Sequence, residues 1–496
     1  MGKSIRTSSK IMAHTYGKRN WSVFFISTFI VLFLAYLVNK NVEVPTIVLY
    51  VLTGIGFTFV ALKGITRPEV IIYALVVYIP FSKILVGDFG GFATAINFTN
   101  ILTILGIIAW FLSSAIRSRK FYRRTSLDIP TYLFMLVGCF SLMRGTFYFG
   151  YDYATDFIVP LKRWLTPIFF FFLVYNTVRD KETIKNIIVI IMIVTAVVAL
   201  MAIKDYMDIG NVSSLEKSRV GGIAEQPNVL ASFFVYYMFL YAGFFLVYWK
   251  KMRFWMLAIP FLLCFRGIQV TFSRGGYLAF AAAVLLIAFF KSRILFFFTI
   301  LLAIFVLINP YVLPKGIQYR LSSTFHGEQI YSTSLEEIKD PSAARRIEIW
   351  KGAFEIIKDN FWFGIGYGVF PYMIAYYRPE LGKVDAHNEY LLIASEMGIF
   401  GLLIFLLVLL IIIKNCFRLY RITKNKFFKA VALGFLGSLG GLLVVNMFGG
   451  RLDSQEVSSY FWIITALIFR ALYIEREEQK LAVAKTKTRK KVNHVP

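Results

Sequence analysis

One histidine stands where proton chemistry is feasible. His387 opens the stretch HNEYLLIASEMGIFG, which runs from His387 to Gly401. The chain has four histidines, His14, His326, His387 and His494; the first and last lie in basic tails. His387 is placed where a long polar loop meets an apolar segment, with Asp385 and Asn388 beside it. A neutral imidazole is the usual side chain for taking a proton off a hydroxyl near neutral pH.

Cations accompany it. Arg219, Arg274, Arg346, Arg378 and the Lys162–Arg163 pair all fall at positions that the span pattern turns outward. Arginine and lysine near membrane depth are costly and seldom idle, and the planar guanidinium fork suits a phosphate or diphosphate. Arg219 precedes Gly221 and Gly222, where backbone can approach a ligand closely. Arg274 sits in TFSRGG at the outer end of a span. Any one of these arginines also fits a plain snorkelling role; Arg219 and Arg274 together, beside a histidine loop, fit an anion site better.

The elements that must position these groups are membrane helices. The chain has 496 residues, 58% hydrophobic and 17% charged, against about 45–50% and about 25% in a soluble domain. Apolar runs long enough to cross a bilayer recur from end to end. The fold class expected is an all-α polytopic membrane protein with about 14 transmembrane helices. The spans start near Trp21, Val44, Glu69, Phe98, Asp128, Pro160, Asn186, Pro227, Phe254, Arg274, Arg293, Asn388, Phe427 and Val457. The first apolar run is long enough to span and no small-residue cleavage site follows it, so no cleavable signal peptide is expected.

The net charge of +26 is explained by where it sits. Lys and Arg concentrate in alternate connections: 117–125, 179–185, 249–253, 291–293, 414–426 and both tails. That is the positive-inside pattern, and it argues against nucleic-acid binding. Both termini are then cytoplasmic and the His387 loop faces out, and the C-terminal tail can touch anionic lipid. The expected organisation is a cytoplasmic basic N-terminus (1–20), a transmembrane bundle of about 11 spans (21–310), an outward-facing loop (311–387), a bundle of about 3 spans (388–474) and a cytoplasmic basic tail (475–496). Cys139, Cys264 and Cys416 lie far apart and suggest neither a disulfide framework nor a metal site.

The long loop is not low-complexity. PSAARRIEIWKGAFEIIKDN reads as an amphipathic helix with Ile347, Trp350, Phe354 and Ile357 on one stripe. FWFGIGYGVF follows, and Gly364, Gly366 and Gly368 read as a tight, flexible turn able to act as a hinge. No βαβ unit surrounds them, so they are no nucleotide fingerprint. Asp152, Asp156, Asp385 and Glu389 face out, but nothing in their spacing pairs them as glycosidase carboxylates. The chemistry that fits is displacement at an anomeric carbon carrying a lipid diphosphate. The arginines hold the diphosphate and stabilise its leaving charge, and the histidine takes the proton from the acceptor hydroxyl. One-step attack opposite the leaving group inverts the anomeric configuration.

Four segments resemble the bacterial O-antigen ligase and O-antigen polymerase superfamily of membrane glycosyltransferases. They are RVGGIAEQPNVLASFF with Arg219, Gly222 and Asn228; TFSRGGYLAF with Ser273 and Arg274; RIEIWKGAFEIIKDNFWFGIGYGVF with Arg346, Trp350, Gly364 and Gly366; and HNEYLLIASEMGIFG. The last matches a signature of His, Asn or Ser, nine residues, Gly, two residues and Gly, here His387, Asn388, Gly398 and Gly401. The resemblance implies glycan transfer from undecaprenyl diphosphate to an acceptor hydroxyl at the periplasmic face of the bacterial inner membrane. The acceptor would be lipid A–core for a ligase, or another glycan for a repeat-unit polymerase. It also implies His387 as base, arginines matching Arg219 and Arg274 on the diphosphate, and no metal; from their own positions Arg346, Arg163 and Asn388 are expected as further substrate contacts, and no cofactor is expected. Ligases of the family usually have about twelve spans, so the expected count leaves ligase against polymerase open. A flippase or transporter for lipid-linked saccharides is the competing class; it predicts inverted repeats and mid-span charges, of which only Arg266 and Arg144 are candidates. A scaffold or receptor, with His387 a mere interfacial cap, is the third reading.

Overall fold

The computed structural model describes residues 46–83, 97–118, 120–209, 218–314, 317–318, 341–450 and 452–492. The expected span near Trp21, the N-terminal tail and part of the long loop (319–340) lie outside the described residues. Among those described, the chain is all-helical. Ten helices are long and apolar enough to cross a membrane, and Ile55–Thr66, Glu69–Phe81 and Arg293–Ile308 are shorter apolar helices. This is a multi-pass membrane protein. A helix satisfies its own backbone polar groups, which is what a solvent without hydrogen bonds requires.

The chain divides into two compact units: Met1–Arg123 with Asn176–Val197, and Arg124–Tyr175 with Val198–Pro496. The first contains α1 (Thr46–Thr66), α2 (Glu69–Tyr78) and α3 (Phe98–Ile116). It is closed by polar bonds at helix ends. The Asn186 amide donates to the Tyr73 hydroxyl at 3.4 Å, and the Asp180 carboxylate caps the following helix through the Thr183 N–H at 2.8 Å.

The second unit carries the groups singled out above. Its helices include α4 (Asp128–Phe149), most of α5 (Tyr151–Thr177), the latter part of α6 (Lys181–Ile209), α7 (Pro227–Tyr237), α8 (Phe239–Val247), α9 (Ala258–Val270), α10 (Arg274–Lys291) and α11 (Arg293–Ile308). The rest are α12 (Pro341–Asp359), α13 (Phe370–Tyr377), α14 (Glu389–Ile422), α15 (Lys426–Val445) and α16 (Gln455–Val492). Small residues set the closest crossings, as expected where lipid removes the hydrophobic drive between helices. A Cβ placed on Gly243 of α8 would lie 2.2 Å from the Ala430 carbonyl of α15. One placed on Gly441 of α15 would meet Val235 of α7 at 2.3 Å.

The amphipathic helix forms as expected, with its buried stripe shifted. Ile349, Ala353 and Ile356 are the buried positions, whereas Phe354 is exposed. Ile347, Trp350 and Ile357 are only partly covered. The cause is Gly352, which packs directly against Ile374 of α13 and rotates the contact face toward it.

The decisive local feature is a break in α14 at Gly398, whose φ of 69° and ψ of −174° are non-helical. A break frees backbone groups that hydrocarbon cannot satisfy. The segment 361–366 satisfies them. Ile365 N–H donates to Ser395 O at 2.9 Å, Gly366 N–H to Glu396 O at 3.1 Å, and Ile399 N–H to Phe361 O at 2.8 Å. From α4, the Ser141 hydroxyl adds a bond to Glu396 O at 2.7 Å. The glycines permit this contact: a Cβ on Gly364 would lie 2.4 Å from Glu396 O, and one on Gly398 would lie 2.2 Å from Trp362 O. The glycine run read as a flexible turn is therefore a pinned backbone insert.

Gly398→Ala and Gly382→Ala separate contact from conformation. Both glycines have positive φ, 69° and 63°, but a methyl added at Gly382 would meet no neighbour within 4 Å. Gly382→Ala should cost about 1–3 kcal/mol from its positive-φ backbone alone. Gly398→Ala must also displace a carbonyl and should abolish the monodisperse folded peak in detergent. Equal melting temperatures for the two variants would contradict this account.

Candidate active site

His387 lies one residue before the cap of α14. The Asn388 side chain accepts from the N–H groups of Tyr390 at 3.0 Å and Leu391 at 3.2 Å, the usual N-cap arrangement. His387 itself has φ +48°, an uncommon left-handed conformation for a side-chain-bearing residue that persists only when its surroundings fix it. Three contacts fix it. Its N–H donates to Asp385 Oδ2 at 3.3 Å. The Trp350 indole N–H of α12 donates to the carbonyl of Ala386 at 3.1 Å. The Arg345 guanidinium donates to Leu381 O at 3.1 Å. The imidazole is 45% exposed, and its Nδ1 lies 3.6 Å from Asp385 Oδ2.

The two arginines of the expected anion site are brought to one corner. Arg219 Nε donates to Thr271 O at 3.0 Å, and its Nη2 donates to Asn228 Oδ1 at 2.9 Å. Val220 N–H bonds Val270 O at 3.2 Å. Arg219 thus bridges the start of α7 and the turn that leads into α10. Arg274 is the first residue of α10, capped by the Ser273 hydroxyl, which accepts from Gly276 N–H at 3.3 Å. Two helix N-termini and the Arg219 guanidinium therefore share this corner, with Arg274 opening the second of those helices, and helix N-termini and guanidinium groups favour an anion.

The arginine corner and the histidine loop meet at the turn between α15 and α16. Gly275, next to Arg274, packs on Phe448, where an added Cβ would sit at 2.9 Å. Two residues on, Gly450 packs against Glu389, with 3.3 Å from a Cβ to the carboxylate Oε2. Tyr390 donates to Leu443 O at 2.9 Å, and Tyr236 donates to Asn446 Oδ1 at 2.8 Å. Both glycines of SRGG are legible in these terms, since Gly276 packs equally closely on Ala231 of α7.

The other expected residues distribute unevenly. Arg346 lies one turn before Trp350 on α12 and so on the same face as the side chain that holds Ala386. Arg163 is exposed on α5, between the buried Leu161 and Trp164, and among the described residues no contact joins it to His387. Arg378 is engaged in a carboxylate network, with Glu355 Oε1 at 2.5 Å and Glu348 Oε2 at 3.9 Å. Those carboxylates, the hydrogen bond to Glu355 first, raise its already high proton affinity, and it acts as a clip between α12 and α13.

Two residues were missed from the sequence. Glu396 is buried, and its carboxylate Oε1 accepts the N–H of Phe370 at 3.2 Å, capping α13 and tying it to the half-helix that begins after His387. The signal was present: a carboxylate inside LLIASEMGIFG has no apolar explanation. Tyr367 is the other. Its carbonyl accepts the Tyr153 hydroxyl, and its N–H bonds Ser141 O at 3.2 Å. Burial, followed by the charges of Glu396, Asp453 and Glu389, pushes its phenol well above the usual range and keeps it protonated.

Trp350→Phe retains the ring and removes one donor. Losing that bond, worth about 1 kcal/mol, should raise tryptic cleavage after the exposed Lys383 roughly fivefold if opening of the loop limits cleavage. An unchanged cleavage rate would mean that the indole N–H does not hold the loop.

Residues 259–406 match the family model described as O-antigen ligase. The matched stretch contains Arg274, Arg346, His387 and Asn388, ends eight residues after the break at Gly398, and leaves Arg163 and Arg219 outside. No curated protein matches the chain. The match supports membership of the O-antigen ligase superfamily.

Proposed function

With an O-antigen ligase domain at residues 259–406 as its basis, we propose that this membrane protein transfers a glycan from undecaprenyl diphosphate to an acceptor hydroxyl at the periplasmic face of the bacterial inner membrane. The observation that carries the reading is the shared turn 446–450, against which the start of α10, bearing Arg274, and the start of α14, following His387, both pack. It supports one site with an anion-binding half and a proton-accepting half.

In this mechanism the acceptor oxygen attacks the anomeric carbon as its proton passes to the His387 imidazole. The bond from that carbon to the diphosphate oxygen breaks, and its electron pair stays on the diphosphate. Arg219, Arg274 and the N-termini of α7 and α10 stabilise that charge. The Asp385 carboxylate lies on the Nδ1 side of the ring, which favours Nε2 as the nitrogen that takes the proton. Arg346 on α12 and Asn388 at the α14 cap complete the acceptor side, with Arg163 a more distant substrate contact. Attack opposite the leaving group inverts the anomeric configuration. The acceptor is lipid A–core in a ligase or another glycan in a repeat-unit polymerase. Metal and cofactor have no role in this scheme.

The test is transfer by purified protein with an undecaprenyl-diphosphate-linked glycan donor. His387→Ala should lose about 10²–10⁴-fold in rate while its melting temperature stays near that of the wild type. Arg274→Gln should weaken donor binding and leave the acceptor KM unchanged. Wild-type activity in His387→Ala would remove the base assignment. Saccharide movement across vesicles without transfer would favour a flippase.

A further inference from the structure

At the opposite end of the second unit, a second group of cations has no assigned role. Arg418 lies in the last turns of α14, about twenty residues and hence roughly 30 Å along the helix beyond the break at Gly398. It is exposed. Arg476, on α16, lies close enough to Arg418 for their charges to repel. Arg470, one and a half turns earlier on α16, is buried between two aromatic rings, 5.8 Å from Tyr175 and 5.1 Å from Tyr473. The same Tyr175 lies within electrostatic reach of Arg476.

The Arg476 guanidinium carries buried donors. Its Nε and Nη2 are shielded from solvent and donate to no acceptor among the described residues. Acceptors in the vicinity are engaged elsewhere. Glu475 receives the Thr423 hydroxyl at 3.1 Å, Glu477 pairs with Lys480 at 3.0 Å, and the Ile422 carbonyl receives the Gln479 amide at 3.4 Å. A guanidinium that repels its cationic neighbour and hides unused donors is a poor structural element. It is a good half of a site for an anion with several acceptor oxygens. Basic pockets between membrane helices serve phospholipid headgroups in this way.

We propose that Arg476 and Arg418, with Arg470 beneath them, bind a phosphate group at this end of the bundle, presented by an anionic phospholipid headgroup. The exposed Arg418 provides entry, and the Arg476 fork provides the inner contacts once the headgroup displaces the side chains that cover its Nε and Nη2. The proposal does not depend on the glycan-transfer reading, because none of its residues serves His387.

The experiment uses full-length protein purified in mild detergent. Native mass spectrometry with added phosphatidylglycerol is compared between the wild type and Arg418→Gln/Arg476→Gln, and a thermal-shift titration with inorganic phosphate runs in parallel. The wild type should retain phosphatidylglycerol with roughly tenfold greater affinity than the double variant, the scale of one lost charge-assisted bond. Arg476→Lys, which keeps the charge and loses the fork, guards against misfolding and should fall between the two. Stabilisation by inorganic phosphate in the wild type alone would show that the site reads the phosphate rather than the lipid. Equal phosphatidylglycerol retention in the wild type and both variants, or no response to either probe, would overturn the proposal.

Discussion

The arrangement around His387 depends on one exchange of backbone hydrogen bonds. At Gly398 helix α14 stops being helical, and inside a membrane each freed N–H or C=O is costly. The segment 361–366 and the Ser141 hydroxyl take up those groups. The consequence reaches in three directions from one point. It fixes the start of α13 through Glu396, it ties α4 to the loop through Ser141 and Tyr367, and it makes the stretch after His387 a short half-helix anchored at both ends. A continuous helix would need none of these contacts and would give the histidine loop only a single anchored end.

The same economy of backbone explains why two arginines far apart in sequence share a corner. Arg219 commits two of its donors to Thr271 O and Asn228 Oδ1, so the loop that carries it is sewn to the turn before Arg274. The glycines after Arg274 let α10 press against Phe448 and Ala231. Position here comes from close approach of small residues and from helix ends, and long side chains are added to a frame that is already set. Such a frame suits a transition state whose charge develops at a fixed place, because it has no reorganisation to undergo as the leaving group departs.

The fold class and most of the helices were legible in the sequence because hydropathy at span length is a strong signal and alternating charge supports it. His387, Arg219 and Arg274 were legible because they are polar groups in a chain that avoids polar groups. What could not be read was contact. The stripe on α12 is rotated because Gly352 packs on Ile374, and periodicity along one helix contains nothing about its neighbour. The glycine run reads as a hinge for a similar reason: glycine marks permissive backbone, and only the partner at Gly398 shows that the permission serves close packing. Glu396 escapes notice because a lone carboxylate in an apolar run gives no spacing to recognise.

A tightly held backbone and an exposed side chain coexist at the histidine, and on the transferase reading the combination has a use. Three contacts hold the loop, yet the imidazole is 45% exposed, its Asp385 partner is 50% exposed, and 3.6 Å separates them. That spacing is beyond a good hydrogen bond. In water such a pair gains little; with water excluded its attraction grows several-fold. An acceptor sugar that covers the two groups would therefore tighten them and strengthen the base at the moment its own hydroxyl arrives. Water, which cannot cover the pair, would meet a weaker base.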